Sequence, residues 1–197
     1  LDLKKMPVWI HCKGYLVRDD NTKPLYMIGC INEIGERQKA DNVSGLLGET
    51  GLRQYMDQQD TPLETGYLLR IGIDHFKEIN DNFGQEYGDF VLRKTADCIS
   101  GCISEAQKVY KLVADEFLIL DVSSDEVKDA DKLYDKVRNE IDRFIESNEF
   151  KVMYTVSGGI VPFAALKGNQ YSEALKLTDF ALNEAKKLGR NRCYIFN

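Results

Sequence analysis

The chain has 197 residues, 43% of them apolar and 10% aromatic, with a formal charge of -6. That suffices for one ordinary domain with a sizeable core and a small extra element. The net acidity, with basic residues scattered among acids, excludes a nucleic-acid backbone as the main partner. Five cysteines, Cys12, Cys30, Cys98, Cys102 and Cys193, form no compact metal pattern. An odd count in a chain of this size suits a reducing compartment, and Cys98 and Cys102, at i,i+4, have the spacing of core or boundary residues on one helix. No apolar run approaches the length of a membrane span, and no leader pattern opens the chain. The expectation is a cytoplasmic protein, or the cytoplasmic part of a membrane-anchored signalling protein. The absence of an initiator Met points to a piece of something longer.

Pro7–Val17 and Leu25–Ile34 are strand-like and are joined by a strong turn, Arg18–Pro24 (RDDNTKP). They predict a hairpin, which is marginal in water without a partner surface. Glu36–Asp41 is a polar connector, too short and apolar-poor for a coiled coil. Asp41–Leu47 (DNVSGLL) predicts a turn, Thr50–Gln59 a short helix with Leu52, Tyr55 and Met56 inward, and Gln59–Glu64 a loop. Tyr67–Ile73 is an apolar strand broken only by Arg70, which suits either a sheet edge or contact with a helix. His75–Asn82 predicts a short helix or turn ahead of Gly84. Tyr87–Ser100 predicts a longer helix with Val91, Leu92, Thr95, Ala96 and Ile99 on one side.

Lys108–Val113 and Glu116–Val122 predict a hairpin with Ala114–Asp115 at its tip. Asp131–Ile145 repeats Leu133, Val137, Ile141 and Ile145 at i+4, the mark of an amphipathic helix. A strand over Lys151–Ile160, a helix over Tyr171–Leu188 closed by Gly189, and an edge strand over Asn191–Phe196 complete the chain. This order predicts an α/β (α+β) domain with a central mixed sheet and helices on its faces. Two strand ends carry Asp, Glu, Asn and Lys, within Tyr67–Asp89 and Lys111–Leu120. Such ends suit a ligand held through a cation, and equally suit polar turns on a soluble domain.

Trp9–Arg37 resembles the last two strands of a PAS sensor domain, with Gly29–Arg37 (GCINEIGER) in place of that family's closing string and Asn32 where its Asp usually falls. The resemblance implies that residues 1–40 are the end of a PAS domain and its linker. The upstream part that lines a PAS ligand pocket is missing, so this segment is expected to bind no sensor ligand itself.

Four strings, in order, resemble a GGDEF domain, the diguanylate cyclase fold, over residues 41–197. They are Asp41–Leu47, Ile73–Asp89 (IDHFKEINDNFGQEYGD), Ala114–Phe117 (ADEF) and Ala181–Arg192 (ALNEAKKLGRNR). For an active member the resemblance implies condensation of two GTP molecules into cyclic di-GMP across a two-fold interface, with Mg²⁺ neutralising phosphate charge. It assigns guanine reading to Asn80 and Asp89 and phosphate contacts to Lys77, Lys186 and Arg190. It assigns the cation to Asp115 and the main-chain carbonyl of Ile73, with Asp74 as a further candidate, and deprotonation to Glu116. An Asp carboxylate accepts from the guanine N1–H and N2–H₂ edge, and an Asn amide adds a donor and an acceptor. Helix capping is the plain alternative for Asn80 and Asp89, as dipole pairing is for Lys186 and Arg190.

The chain also departs from the pattern. Gly72 stands where the first Asp of the family's Asp-x-Asp holds metal, which removes one hard oxygen ligand and one negative charge. Val113 and Ala114 replace the first two glycines of the signature hairpin. They fill space beside the phosphates and forbid dihedrals that glycine allows, unless Val113 is a strand residue turned inward. Gly48 and Glu49 replace the Asn-Arg pair that closes the opening motif, and Ser104–Gln107 lacks the Arg and Asp of the product-inhibition site. The favoured reading is a catalytically degenerate GGDEF domain, regulatory in cyclic di-GMP signalling. It would receive a signal through Ile34–Asp41 and either bind GTP as an effector or act by contact. The alternatives are a weakly active Mg-dependent cyclase and a pure dimerisation scaffold. The implied partners are the PAS region, an EAL-type phosphodiesterase domain downstream, and a second copy of the chain.

Overall fold

The computed structural model describes residues 10–18, 23–33, 40–59, 62–124, 127–147, 152–167 and 170–196. The chain divides into two compact units, Leu1–Ala40 and Asp41–Asn197. The first contains β1 (Ile10–Arg18) and β2 (Pro24–Glu33), an antiparallel pair whose register shifts between Val17 and Arg18. The expected hairpin is therefore formed. Pro7–Trp9, most of the turn and the connector at 34–39 lie outside the described residues.

The second unit runs β3 (Leu47–Gly48), α1 (Glu49–Asp57), β4 (Tyr67–Ile73), α2 (Phe76–Phe83), α3 (Gln85–Cys102), β5 (Gln107–Lys111), β6 (Glu116–Asp121), α4 (Val127–Ser147), β7 (Val156–Pro162), α5 (Gln170–Lys187) and β8 (Cys193–Ile195). It is a mixed α/β fold with a six-stranded sheet in the order β3-β5-β6-β4-β7-β8. The pairs β3–β5 and β7–β8 are parallel and the remaining neighbours antiparallel.

Several element ends differ from expectation, each for a local reason. Leu47 is not turn but the start of β3, a two-residue strand beside β5. The strand expected from Lys151 starts only at Val156, and Pro162, which has no N–H to give the ladder, ends it. Ahead of it, the Thr155 carbonyl accepts from the Asp74 amide at 2.8 Å. The helix expected at Asp131–Ile145 gains a turn at its start and two residues at its end. In the signature hairpin β5 stops at Lys111, and Val113 is 65% exposed, so it is not a strand residue turned inward.

β4 is buried along its whole length, and its two-residue period sorts the core. Tyr67, Leu69, Ile71 and Ile73 pack with Val91, Leu92, Ala96 and Ile99 of α3 and Leu133, Tyr134, Val137 and Ile141 of α4. Cys98 and Cys102 are buried in this same layer. Leu68, Leu118, Leu120 and Val161 pack on the opposite side with Leu52 and Met56 of α1 and Ala174 and Ala181 of α5. Arg70 and Gly72 share the parity of Leu68 and so face α5. Arg70 is thus on a central strand against a helix, not at an edge. The helix lies unusually close: a Cβ on Gly159 would stand 2.3 Å from the Leu182 nitrogen and 2.7 Å from the Ala181 carbonyl carbon. That approach carries Lys186, one helical turn after Leu182, over the end of β4.

Candidate functional site

The end of β4 is where the chain gathers its chemistry. Gly72 pairs with Glu116 across β6, and the Ile73 amide donates to the Asp115 carbonyl at 3.3 Å. A Cβ on Gly72 would meet the Lys186 Nζ at 3.1 Å and its Cε at 3.4 Å. The half-buried Lys186 ammonium thus lies beside the volume that a carboxylate at position 72 would take. No hydrogen-bond or ion-pair partner engages that ammonium among the described residues.

Glu116 is engaged elsewhere. Arg70, buried to 7% exposure in the strand beside it, donates from both Nε, at 2.8 Å, and Nη2 to its Oε2. The guanidinium also donates to the Leu175 carbonyl at 3.1 Å and pairs with Asp179 at 3.4 Å. A charge in an apolar strand survives only where it is paired and hydrogen-bonded, and Glu116 meets that need for Arg70.

The hairpin tip is held from beneath by Lys111. Its buried Nζ donates to the carbonyls of Leu112, at 2.9 Å, Ala114, and Glu116, at 3.4 Å. Burial lowers the pKa of this ammonium, against the opposing charges of Asp41, Asp115 and Glu116. Ala114 sits at φ 53°, a left-handed conformation suited to glycine. The tip thus keeps a glycine-like bend with an alanine in it. Burial pushes the Asp115 carboxyl above the ordinary carboxylate range. Lys186 is the strongest opposing influence, and Glu116 adds to the rise.

Asp74 stands apart from this group. Its Oδ1 accepts from the Ser157 hydroxyl at 2.7 Å, and its Oδ2 accepts from the Thr155 hydroxyl at 2.7 Å and the Asn191 amide at 3.1 Å. With 2% exposure, it clamps the end of β4 to β7 and to the loop after α5. These residues do not fit a Mg²⁺ site. Mg²⁺ is usually held by one or two carboxylates together with waters and substrate phosphates, whereas here position 72 offers no oxygen, Asp74 and Glu116 are engaged, and the Lys186 ammonium lies beside Asp115, the carboxylate that remains. Among the described residues no cluster of three His, Cys, Asp or Glu side chains could hold a metal.

A second group lies on α2 and α3. Lys77 and Asn80 are three residues apart on one face of α2. The Asn80 side chain rests on Gly88, where an added Cβ would stand 1.8 Å from its Oδ1. That Oδ1 is buried and makes no hydrogen bond, the one such side-chain atom among the described residues. Asp89, next to Gly88, is half-buried. The structure thus brings Asn80 to the backbone beside Asp89, and Lys186 to Gly72, Asp115 and Glu116. Arg190 follows Gly189 beyond α5 at φ 60°, and its amide donates to the Ala185 carbonyl at 3.2 Å.

Sequence reasoning left two functional side chains out. Arg70 is read there only as a strand residue at an edge or against a helix, and Lys111 only as the start of the Lys111–Leu120 strand end, with no role assigned to either. The signal for both was a cation inside a buried strand next to the acids of the hairpin. Ser104 and Gln107 bond each other at 2.8 Å, and Gln107 also donates to the Asp121 carboxylate and the Tyr67 hydroxyl. At the start of the unit, the Asp41 carboxylate accepts from the Ser44 amide and hydroxyl, each at 2.7 Å, and its amide donates to the Leu46 carbonyl. Burial pulls the Asp41 carboxyl upward, but these hydrogen bonds and the Lys111 charge outweigh it and hold the group below the ordinary carboxylate range.

Residues 39–192 match the family described as "Diguanylate cyclase, GGDEF domain". The chain is 30% identical over 161 residues to the diguanylate cyclase DgcZ of Escherichia coli K12, covering 80% of this chain and 53% of that protein. It is 25% identical over 189 residues to the diguanylate cyclase VdcA of Vibrio cholerae, covering 92% of this chain and 55% of that one. It spans about half the length of both curated relatives. Among solved structures, the diguanylate cyclase SiaD of Pseudomonas aeruginosa, in complex with its activator SiaC, superposes with a TM-score of 0.70 at 25% identity. That match covers 82% of this chain and 63% of the other. Among the described residues no helix is long and apolar enough to cross a membrane.

Proposed function

The chain belongs to the GGDEF domain family, and we propose that it is a catalytically degenerate member that binds GTP as an effector in cyclic di-GMP signalling without condensing it. The observation that carries this reading is the buried, unpartnered Oδ1 of Asn80 beside Asp89. An unsatisfied buried acceptor costs a fold about 1–3 kcal/mol, a cost removed when the amide turns away from Gly88 and meets a ligand donor such as a guanine N–H. Helix capping does not account for either residue, because the caps of α2 and α3 make no side-chain hydrogen bonds.

The loss of turnover rests on the phosphate side. Gly72 offers no ligand, Glu116 is engaged by Arg70 instead of facing a hydroxyl, and Val113 and Ala114 place side chains on the hairpin that would approach the phosphates. The hairpin of residues 1–40 is, in this proposal, the end of a PAS domain that passes its signal through Ile34–Asp41. The further partners are an EAL-type phosphodiesterase domain and a second copy of the chain. The setting is the cytoplasm, or the cytoplasmic face of a membrane-anchored protein.

Calorimetric titration with GTP, followed by chromatography of the same sample, tests the proposal. The expected outcome is micromolar affinity and no cyclic di-GMP. Product formation would overturn the degenerate reading in favour of a weak cyclase, and no binding would leave only a scaffold. Gly88→Ala sharpens the test, since its Cβ displaces Asn80. It is expected to weaken GTP binding about tenfold or more, the equivalent of losing one good contact of about 1.4 kcal/mol, while the fold is retained.

A further inference from the structure

We propose that Lys186 is the resident cation of the phosphate site, so that this domain holds the triphosphate of GTP without a divalent metal. The inference rests on the nucleotide-binding reading and concerns how that same site is charged. Its basis is position: a half-buried ammonium, without a hydrogen-bond or ion-pair partner among the described residues, lies 3.1 Å from where a Cβ on Gly72 would stand. Loss of the carboxylate at position 72 and occupation of its surroundings by an ammonium are one change in charge, from a strand end that attracts cations to one that supplies a cation.

The surrounding groups agree. Facing this point are Asp115 and Glu116 from the hairpin, Arg70 from β4, Asp179 from α5 and Lys111 beneath the tip. Arg70 neutralises Glu116 and is itself shared with Asp179. Lys111 is committed to three backbone carbonyls and lies within the influence of Asp41. That leaves Lys186 opposite Asp115, with Lys77 and Arg190 free of side-chain partners among the described residues to add positive charge. An ammonium binds phosphate as a compact point charge with rotatable donors and needs no fixed octahedron of ligands. It also needs no chelated metal. Mg²⁺ bound to the triphosphate in solution lowers the ligand's negative charge and would bring a second cation towards the ammonium.

The test is calorimetric titration of the whole chain with GTP and with inorganic tripolyphosphate, each in EDTA and in excess Mg²⁺. The expected result is a GTP affinity in EDTA equal to or tighter than that in Mg²⁺. Lys186→Met keeps the stem that packs over Gly72 and is expected to weaken GTP binding in EDTA about tenfold or more, the equivalent of about 1.4 kcal/mol or more. Gly72→Asp is expected to weaken it as well, because the new carboxylate pairs with Lys186. Binding of GTP in Mg²⁺ alone would overturn the inference and leave the effector reading intact. So would an unchanged affinity in Lys186→Met. Tripolyphosphate binding in EDTA that depends on Lys186, with GTP no tighter, would sustain the inference and remove guanine recognition from the proposed function. Failure of both ligands in EDTA would overturn it.

Discussion

Asp115 and Ala114 show how much of this hairpin is out of balance with its own stability. The Asp115 carboxyl titrates above its unfolded value because burial disfavours its charge. The folded state therefore holds this proton more tightly than the unfolded chain. Stability attributable to the group falls as pH rises from 3.8 through the higher folded pKa, and the full cost is present above that pKa. Asp115→Asn is accordingly expected to raise the melting temperature at pH 7. The scale is roughly 2–4 °C per kcal/mol for a chain of this size, and the gain should fade as pH falls through the folded pKa and be gone below 3.8, where both states are protonated. Ala114 at φ 53° carries left-handed strain of about 1–2 kcal/mol. Ala114→Gly removes it but returns about 0.4–1 kcal/mol of freedom to the unfolded chain. Chemical denaturation should therefore show a gain of between about 0 and about 1.6 kcal/mol.

At the scale of elements, the fold depends on how closely α5 lies on β4 and β7, and on the clamp that Asp74 makes. Gly159→Ala would drive a methyl group into helix backbone at Leu182 and Ala181, which cannot swing aside as a side chain can. The expected loss exceeds about 3 kcal/mol and should appear as a large shift in the denaturation midpoint. Asp74→Ala takes the acceptor from the buried Ser157 hydroxyl, the half-buried Thr155 hydroxyl and the Asn191 amide, and about 3 kcal/mol should be lost with it. These elements were differently legible in the sequence. The apolar run of β4 and the i+4 repeat of α4 marked their elements correctly, because burial of one face dictates the spacing. β3 was invisible: two residues carry no period, and only pairing with β5 makes them a strand. The start of β7 was misjudged because Val152–Thr155 are as strand-like as the residues that follow. Asp74 looked like a site residue for the same kind of reason. The partners that hold it, Ser157, Thr155 and Asn191, lie far along the chain.

For the whole molecule, the family was evident from four separated strings, whereas the charge arrangement at its centre was not. That arrangement depends on which residues share a strand face, and so on Arg70 and Gly72 pointing at the same helix. A ligand that binds only the folded state must stabilise all of it. GTP at a hundredfold excess over its dissociation constant should add about 2.7 kcal/mol to unfolding, read as a rise in melting temperature that persists in EDTA. One further property follows from the turn at the start of the unit. Asp41 is tied to Ser44, Gly45 and Leu46, so the backbone there closes into a compact turn around its carboxylate. What passes onward is its field. The Asp41 carboxylate bears on Lys111, and Lys111 holds the carbonyl of Ala114 at the tip. Removing that charge, as in Asp41→Asn, would therefore register at the hairpin as a change in voltage, with no lever and no sliding part between them.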